Sequence, residues 1–312
     1  VWVAQKLGIQ QMIRRSRLLT KMSPQLAAME SILPPLTLKN LIPAHFPEVV
    51  PPEGEKRFRV GMILGCVQQV FAPEVNTATL RVLTANGCEV VIPPAQGCCA
   101  ALSHHQGETE QAKHLARQMI DRFADTQVEA ILINASGCGH TLKEYGHLLE
   151  NDPLYASKAL SFAKKVRDVQ EFLWDVGLVT PLHPLHSDPL TLVYQDACHM
   201  IHGQKISAQP RQLLKKIPGV NLKDPVDAAL CCGSSGVYNI LQPDVAEELG
   251  RQKVMHLLNT KADLIVSSNI GCRVQIQKHL ELQGQPHFPL FHPMQLLDFS
   301  IHKEKIAFSE NS

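Results

Sequence analysis

The 312-residue sequence contains no run of 18 consecutive apolar residues, so it offers no membrane-spanning helix. Aromatic residues make up only 5% of it, and no basic–aromatic interleaving suggests a surface on which RNA bases would stack. Charge of one sign is also missing: 30 Lys and Arg face 29 Asp and Glu, a net charge of +1. No global field is therefore available to collect nucleic acid or anionic lipid. The glycine-rich stretches GCCAAL and CCGSSG lack phosphate-loop spacing, and no GKS or GKT follows, which argues against nucleotide binding. Neither G-x-S-x-G nor HExxH occurs, so a hydrolase has little support. The opening stretch, Val1 to Leu7, is too short and interrupted for a secretion signal. Because the first residue is Val and not Met, the chain is expected to be the C-terminal part of a longer protein; a trimmed or processed chain is the plainer alternative.

What is present is a globular composition, 45% apolar and 19% charged, of a length that suits about two domains. Residues 1–32 alternate apolar groups (Ile13, Leu18, Leu19, Met22) with basic ones (Arg14, Arg15, Arg17, Lys21), an amphipathic helical pattern. A connector helix packed on a neighbour fits it better than a membrane-surface helix. Residues 34–52 carry six prolines and read as an extended linker. A second proline cluster, Pro181, Pro184 and Pro189, interrupts the chain further on. The expected division is a helical connector and proline-rich linker over 1–56, one domain over 57–188 and another over 189–312. Each domain shows β-branched strand-length runs alternating with helix-length segments: FRVGMILGC, CEVVIPP and EAILINASGC in the first, TLVYQDAC, VNLKDP and ADLIVSSNIGC in the second. That is the pattern of a parallel α/β sheet. The fold class expected is α/β, with two duplicated domains related by pseudo-twofold symmetry.

The cysteines carry the strongest signal. Cys66 and Cys198 are 132 residues apart, Cys98 and Cys231 133, Cys99 and Cys232 133, and Cys138 and Cys272 134. Eight of nine cysteines thus form two superimposable sets of four. Cys66, Cys138, Cys198 and Cys272 fall at C-terminal ends of expected strands, where open α/β sheets gather ligands. The CC pairs fall in strand-to-helix loops on the same edge, so four thiolates can converge. Helix N-termini after these loops favour the thiolate form. Gly65, Gly97, Gly137, Gly233 and Gly271 flank the sulfurs and let backbone approach closely. Iron–sulfur ligation and a zinc site both accept four sulfurs, and spacing does not separate them. Strained vicinal disulfides, Cys98–Cys99 and Cys231–Cys232, are the third reading. Clustered thiols without a secretion signal suit a reducing cytoplasm. Cys88, outside the repeat, reads as a small buried hydrophobe.

The repeated C…CC…C pattern resembles the cysteine-rich CCG domain found in heterodisulfide reductases and their relatives. DACHMIHGQKISAQPRQLL (196–214), CCGSSGVYNILQP (231–243) and SNIGCRVQIQKHL (268–280), with VRDVQEFL (166–173) and HPMQLLD (292–298), are similar to the iron–sulfur subunit of glycolate oxidase. The resemblance covers about residues 58–300. It implies an electron-transfer role: an FAD-containing partner subunit oxidises glycolate to glyoxylate, and this chain passes electrons onward, towards an acceptor such as membrane quinone. It implies iron–sulfur ligation by Cys66, Cys98, Cys99, Cys138, Cys198, Cys231, Cys232 and Cys272; the sulfur count fits a plain four-sulfur, [4Fe–4S]-type cluster, or a single cluster in the better-preserved second repeat. It also implies a cytoplasmic protein, peripheral on the inner membrane at most, and an N-terminal ferredoxin-like module whose C-x₂-C-x₂-C-x₃-C-P runs do not occur here.

Two departures matter. The CCG motif of heterodisulfide reductases ends in C-x-x-C, but Ala135 and Asn269 occupy the first position of that pair, and Ala100 stands where the motif has Gly. The noncubane cluster and disulfide-reducing chemistry are therefore not carried over. Alternatives are a lactate- or glycerol-3-phosphate-oxidising complex, a thiol/disulfide enzyme, and a zinc-stabilised interaction scaffold. His199 and His202 flank Cys198, with His199 a candidate ligand or sulfur hydrogen-bond donor; Asp196 is expected to orient His199 or cap a turn. His104 and His105 are expected at a helix start.

Overall fold

The computed structural model describes residues 2–16, 18–33 and 44–308. Most of the proline-rich stretch, 34–43, lies outside the described residues. The N-terminal segment forms not one amphipathic helix but four short ones, Trp2–Lys6, Ile9–Ser16, Leu18–Met22 and Pro24–Ser31. Gly8 at φ +72° and Ser23 at φ −161° interrupt it, and the Ser23 hydroxyl accepts from the Leu26 N–H to start the last helix. That helix packs on the Tyr238–Leu241 and Pro243–Asn259 helices, and Arg14 pairs with Glu30 at 2.9 Å to hold the segment folded on itself.

Strands β1 (Val49–Val50), β2 (Phe58–Ile63), β3 (Cys88–Val91), β4 (Ala130–Ile133) and β5 (Val166–Asp168) form one sheet in the order β1-β3-β2-β4-β5. Strands β6 (Leu190–Gln195), β7 (Val220–Lys223), β8 (Leu264–Ser267) and β9 (Leu290–Phe291) form a second, β7-β6-β8-β9. Every pairing is parallel except β1 with β3, where Val49 and Val50 pair antiparallel to Val91 and Val90. The end of the expected linker is thus an edge strand. Apart from β1, the sheets share one order: the first strand lies between the second and third. This matches the duplication expected from the cysteines. β4 (AILI) and β8 (LIVS) are wholly buried, as strands covered by helices on both faces must be. β7 (VNLK) alternates burial because it is an edge strand.

The repeats are not merely side by side. Each contributes its last helix to the other: Val169–Val176 packs on Ala208–Lys215, and Pro293–Ile301 packs on Pro73–Ala85. One hydrophobic core therefore runs through both sheets, from Val60, Met62 and Leu83 to Leu192, Leu264 and Leu296. Arg81 pairs with Asp298 at 3.1 Å and Glu304 at 2.7 Å, and Arg273 with Glu74 at 3.0 Å, all across the repeats. This shared core fixes how the C-terminal edges of the two sheets face each other.

His292 reinforces the exchange. Its Nδ1 accepts from the Met294 N–H, the Gln295 side chain accepts from its own N–H, and its Nε2–H donates to Asn134 O at 2.8 Å, at the end of β4. Burial holds this imidazole neutral, with its pKa pushed down to about 3. A histidine protonated near pH 6.5 only when unfolded stabilises the fold fully above that pH and loses its contribution as pH falls towards 3. Denaturant titrations of the native chain should show this loss at about 1.4 kcal/mol per pH unit below 6.5 relative to His292→Asn, which keeps a helix cap but does not titrate. Parallel pH profiles for the two proteins would contradict it.

Candidate metal centre

The eight repeated cysteines sit on short connections leaving the C-terminal ends of β2, β3, β4, β6, β7 and β8. Cys66 opens the Cys66–Phe71 helix directly after Gly65, whose φ of +71° turns the chain off the strand. Cys138 and Cys272 are the third residues of the Ser136–Lys143 and Ile270–Leu282 helices. Cys198 immediately precedes a π-helical turn, His199–Gly203. Cys98 and Cys99 lie between Gly97 and Ala100, and Cys231 and Cys232 before Gly233. Gln96 pins the first pair's loop to β2: its Oε1 accepts from Leu64 N–H at 3.0 Å and its Nε2 donates to Met62 O at 2.9 Å.

Within each repeat the sulfurs form a chain of contacts. Cys66 and Cys98 Sγ are 3.6 Å apart, Cys98 hydrogen-bonds with Cys99, and Cys99 with Cys138. Cys198, Cys231, Cys232 and Cys272 repeat that order. All nine cysteines are free, so neither vicinal disulfide is formed. Among the described residues no group of three or more His, Cys, Asp or Glu side chains closes around a single ion-sized point. Cys98 is held as a thiolate, its pKa down to about 3, by hydrogen bonds from Cys66 and Cys99 and the Ala100 N–H. Cys231 is lowered in the same way, to about 2, by Cys198, Cys232 and the Gly233 N–H, which lies 3.4 Å from its sulfur. Their neighbours Cys66, Cys99, Cys198 and Cys232 are pushed up, since each shares a proton with that thiolate under partial or full burial. In the second repeat Ser234 Oγ lies 3.2 Å from Cys232 Sγ, and Asn269 Nδ2 donates to Cys272 Sγ at 3.4 Å.

Cys66, Cys98, Cys99 and Cys138 line the same cavity as Cys198 and Cys272, about 220 Å³ in volume, whose apolar wall includes Ile32, Phe71, Leu102 and Val274. The segments after β4 and β8 meet beside it: Ser136 N–H donates to Ser268 O at 3.2 Å and Gly137 N–H to Asn269 Oδ1 at 3.1 Å. Gln204 Nε2 donates to Ser136 O at 2.9 Å across the same boundary. Asn269, at the missing C-x-x-C cysteine, thus ties the repeats together and donates to a sulfur; Ala135, its counterpart, is buried and does neither.

His105 and His199 stack across the repeats with centroids 4.9 Å apart, and His140 lies 5.5 Å from His199. His199 Nδ1 is 3.9 Å from Cys198 Sγ. Burial lowers the pKa of His105, to about 4, and that of His199. His104 and His105 end the short Ala101–His105 helix and do not begin one. Asp196 does not orient His199: Arg211 grips both its oxygens, at 2.8 and 2.7 Å. Cys88 is fully buried in β3, its thiol pushed up to about 12 by that burial. Sequence reading missed Tyr145, whose hydroxyl donates to Cys99 O at 3.0 Å, and the buried Lys253.

Ala100 and Gly233 follow the two CC pairs in the left-handed region, at φ 67° and +88°. An alanine there bears strain that glycine does not. Ala100→Gly should therefore change stability by less than about 1 kcal/mol, relief of strain offsetting the freer unfolded chain; a calorimetric change several times larger would contradict this.

The site fits a sulfur-ligated group: four cysteines per repeat, N–H donors aimed at sulfur, and glycines where the backbone turns. A cysteine-rich domain model, the CCG domain, matches residues 60–143 and again 192–277. The chain belongs to the CCG cysteine-rich domain family. Residues 1–33 of this CCG protein also match the linker region of the glycolate oxidase iron–sulfur subunit, where the sequence suggested a connector. It is 37% identical, over 90% of its length and 63% of the relative's, to a Bacillus subtilis protein named probable glycolate oxidase iron–sulfur subunit. It is 36% identical to the glycolate oxidase iron–sulfur subunit of Escherichia coli, over 81% of this chain and 60% of that one. Lactate utilization protein A of Oceanobacillus iheyensis is 30% identical over 73% of this chain and 91% of its own. The CCG protein spans about three fifths of the length of the two glycolate oxidase subunits. A hypothetical protein from Helicobacter pylori shares its fold with a TM-score of 0.57 at 11% identity, covering 91% of this chain and 58% of that one. Among the described residues no helix is long and apolar enough to cross a membrane.

Proposed function

We propose that Cys66, Cys98, Cys99 and Cys138 hold one iron–sulfur cluster, that Cys198, Cys231, Cys232 and Cys272 hold another, and that the chain is the electron-transfer portion of a glycolate-oxidising complex. Each unit of the pair, 57–188 and 189–312, carries one cluster, of [4Fe–4S] type by its four sulfurs. Bound there, a cluster takes up and releases single electrons. An FAD-containing partner subunit oxidises glycolate to glyoxylate, and electrons continue towards an acceptor such as membrane quinone from the cytoplasmic face. The observation that carries this reading is the first cysteine quartet facing one apolar cavity together with Cys198 and Cys272 of the second, in a chain that matches the CCG model twice.

The chain's own residues set the conditions for electron transfer. N–H groups of Val67, Ala100, His199 and Gly233 donate to sulfur and favour its charged form. The apolar wall lowers the local dielectric beside the sulfurs, one of the levers that set a cluster's potential.

Zinc is the second reading for the metal. The 3.6 Å spacing of Cys66 and Cys98 is close to the edge of a tetrahedral four-sulfur site, about 3.8 Å for zinc–sulfur bonds of about 2.3 Å. Lactate is the second reading for the substrate, supported by the match to lactate utilization protein A. The test mixes anaerobically purified full-length protein with its flavin subunit and follows loss of cluster absorbance. Glycolate should reduce the protein within the turnover time of the complex. Reduction by lactate or glycerol 3-phosphate but not glycolate would overturn the substrate assignment.

A further inference from the structure

Lys253 is the one fully buried lysine among the described residues. It lies on the inner stripe of the Pro243–Asn259 helix with Ala246, Val254 and Leu257. Ala112, Ile120 and Phe123 form the same stripe of the Thr109–Phe123 helix, shifted by 134 residues, and that shift sets Lys253 opposite Met119. Two equivalent sites therefore differ by a buried cation.

A buried ammonium is costly unless an anion compensates it. Lys253 Nζ donates to Ala228 O at 2.7 Å, three residues before Cys231, but a carbonyl carries no net charge. Among the described residues no carboxylate forms an ion pair with Lys253, and Asp196, whose charge acts on it, is already gripped by Arg211. The remaining groups whose charge acts on the ammonium are Cys232, Cys272 and Cys231, which are anionic in the thiolate form a metal ligand takes. Burial draws its proton affinity down and these sulfurs draw it back up. The same repeat adds the Asn269 donor on Cys272 Sγ, against Ala135 in the first. Both differences favour extra negative charge in the second repeat.

We propose that Lys253 is the counter-charge of the Cys198, Cys231, Cys232 and Cys272 site, and that it makes the cluster held there easier to reduce than the one in the first repeat. This rests on the electron-transfer reading above. A single electron delivered to the chain then resides in the second repeat.

The test is an EPR-monitored potentiometric titration of full-length protein purified without oxygen, with iron and sulfide counted per chain. The unmutated protein should show two midpoints. Lys253→Met, which installs the first repeat's residue, should lower the higher midpoint so that the reduced-to-oxidised ratio at fixed potential falls at least tenfold, about 59 mV for one electron. The other midpoint and the iron content should stay in place, and Lys253→Arg should restore most of the shift. Lys253→Gln, which keeps a donor for Ala228 without the charge, should give the same shift and serves if the methionine variant does not fold. Coincident midpoints in the unmutated protein, or an unmoved higher midpoint in a charge-free variant with full iron, overturn the counter-charge role and leave the electron-transfer reading intact. Unmutated protein without iron overturns both.

Discussion

If the proposed ligand assignment holds, Cys231→Ser or Cys232→Ser should remove metal from the second repeat and stop electron transfer through the proposed complex. Cys231 stands at the centre of its quartet: Cys198 and Cys232 both hydrogen-bond to it, and the Gly233 N–H steadies its charge. A serine hydroxyl stays protonated at neutral pH and is a poor partner for iron, so the loss goes beyond weakened support. Changing a group that merely supports a ligand typically costs 10–100-fold in metal affinity or activity, so loss of the ligand itself should exceed about 100-fold. Iron per chain and electron transfer from the flavin subunit should fall together. Cys88→Ser is the control. That thiol is buried in β3 away from both quartets, so its replacement should cost about 1–2 kcal/mol for burying a hydroxyl and leave the metal in place. Equal metal content in all three variants would contradict the assignment of ligands.

Gly233→Ala should be among the most disruptive single-methyl changes in the chain. Gly233 takes φ +88°, and a Cβ there would stand 2.5 Å from the Ala246 carbonyl oxygen. Because the obstacle is backbone in the first turn of the Pro243–Asn259 helix, no side-chain rotation relieves it. Left-handed strain and overpacking together should cost about 2–5 kcal/mol. The same step displaces Cys231 and Cys232, so thermal stability and metal retention should drop together. A variant with unchanged melting temperature and full metal would show that the loop relaxes freely and that Gly233 is not needed for the sulfur geometry. Ala100 behaves differently. There a methyl group already occupies the left-handed position and is itself fully buried, so the first repeat accommodates what the second excludes.

Much of this was legible in the residues. The shift of 132–134 between cysteines also relates the three strands of each sheet that carry them, because each cysteine loop grows from a strand end. Strand type was legible because the sheets are buried on both faces, and AILI and LIVS show it without alternation. The exchange of terminal helices was not legible, since VQEFL and PMQLLD are amphipathic helices whichever repeat they cover. Nor was the merging of two edges into one cavity, which depends on the shared core. The N-terminal pattern misled about continuity: periodicity carries across Gly8 and Ser23, but the backbone does not. Asp196 misled because its partner, Arg211, lies 15 residues away on the next helix. Lys253 was readable in principle. Aligning the two repeats position by position sets a lysine among buried apolar residues opposite Met119.

The most direct measurement is iron, acid-labile sulfide and zinc per chain, with EPR, on full-length protein purified without oxygen. The expected result is a brown protein with iron and sulfide at cluster stoichiometry, an EPR signal on reduction, and only traces of zinc. A colourless protein, iron-free and loaded with zinc, would contradict an electron-transfer role for the two cysteine quartets.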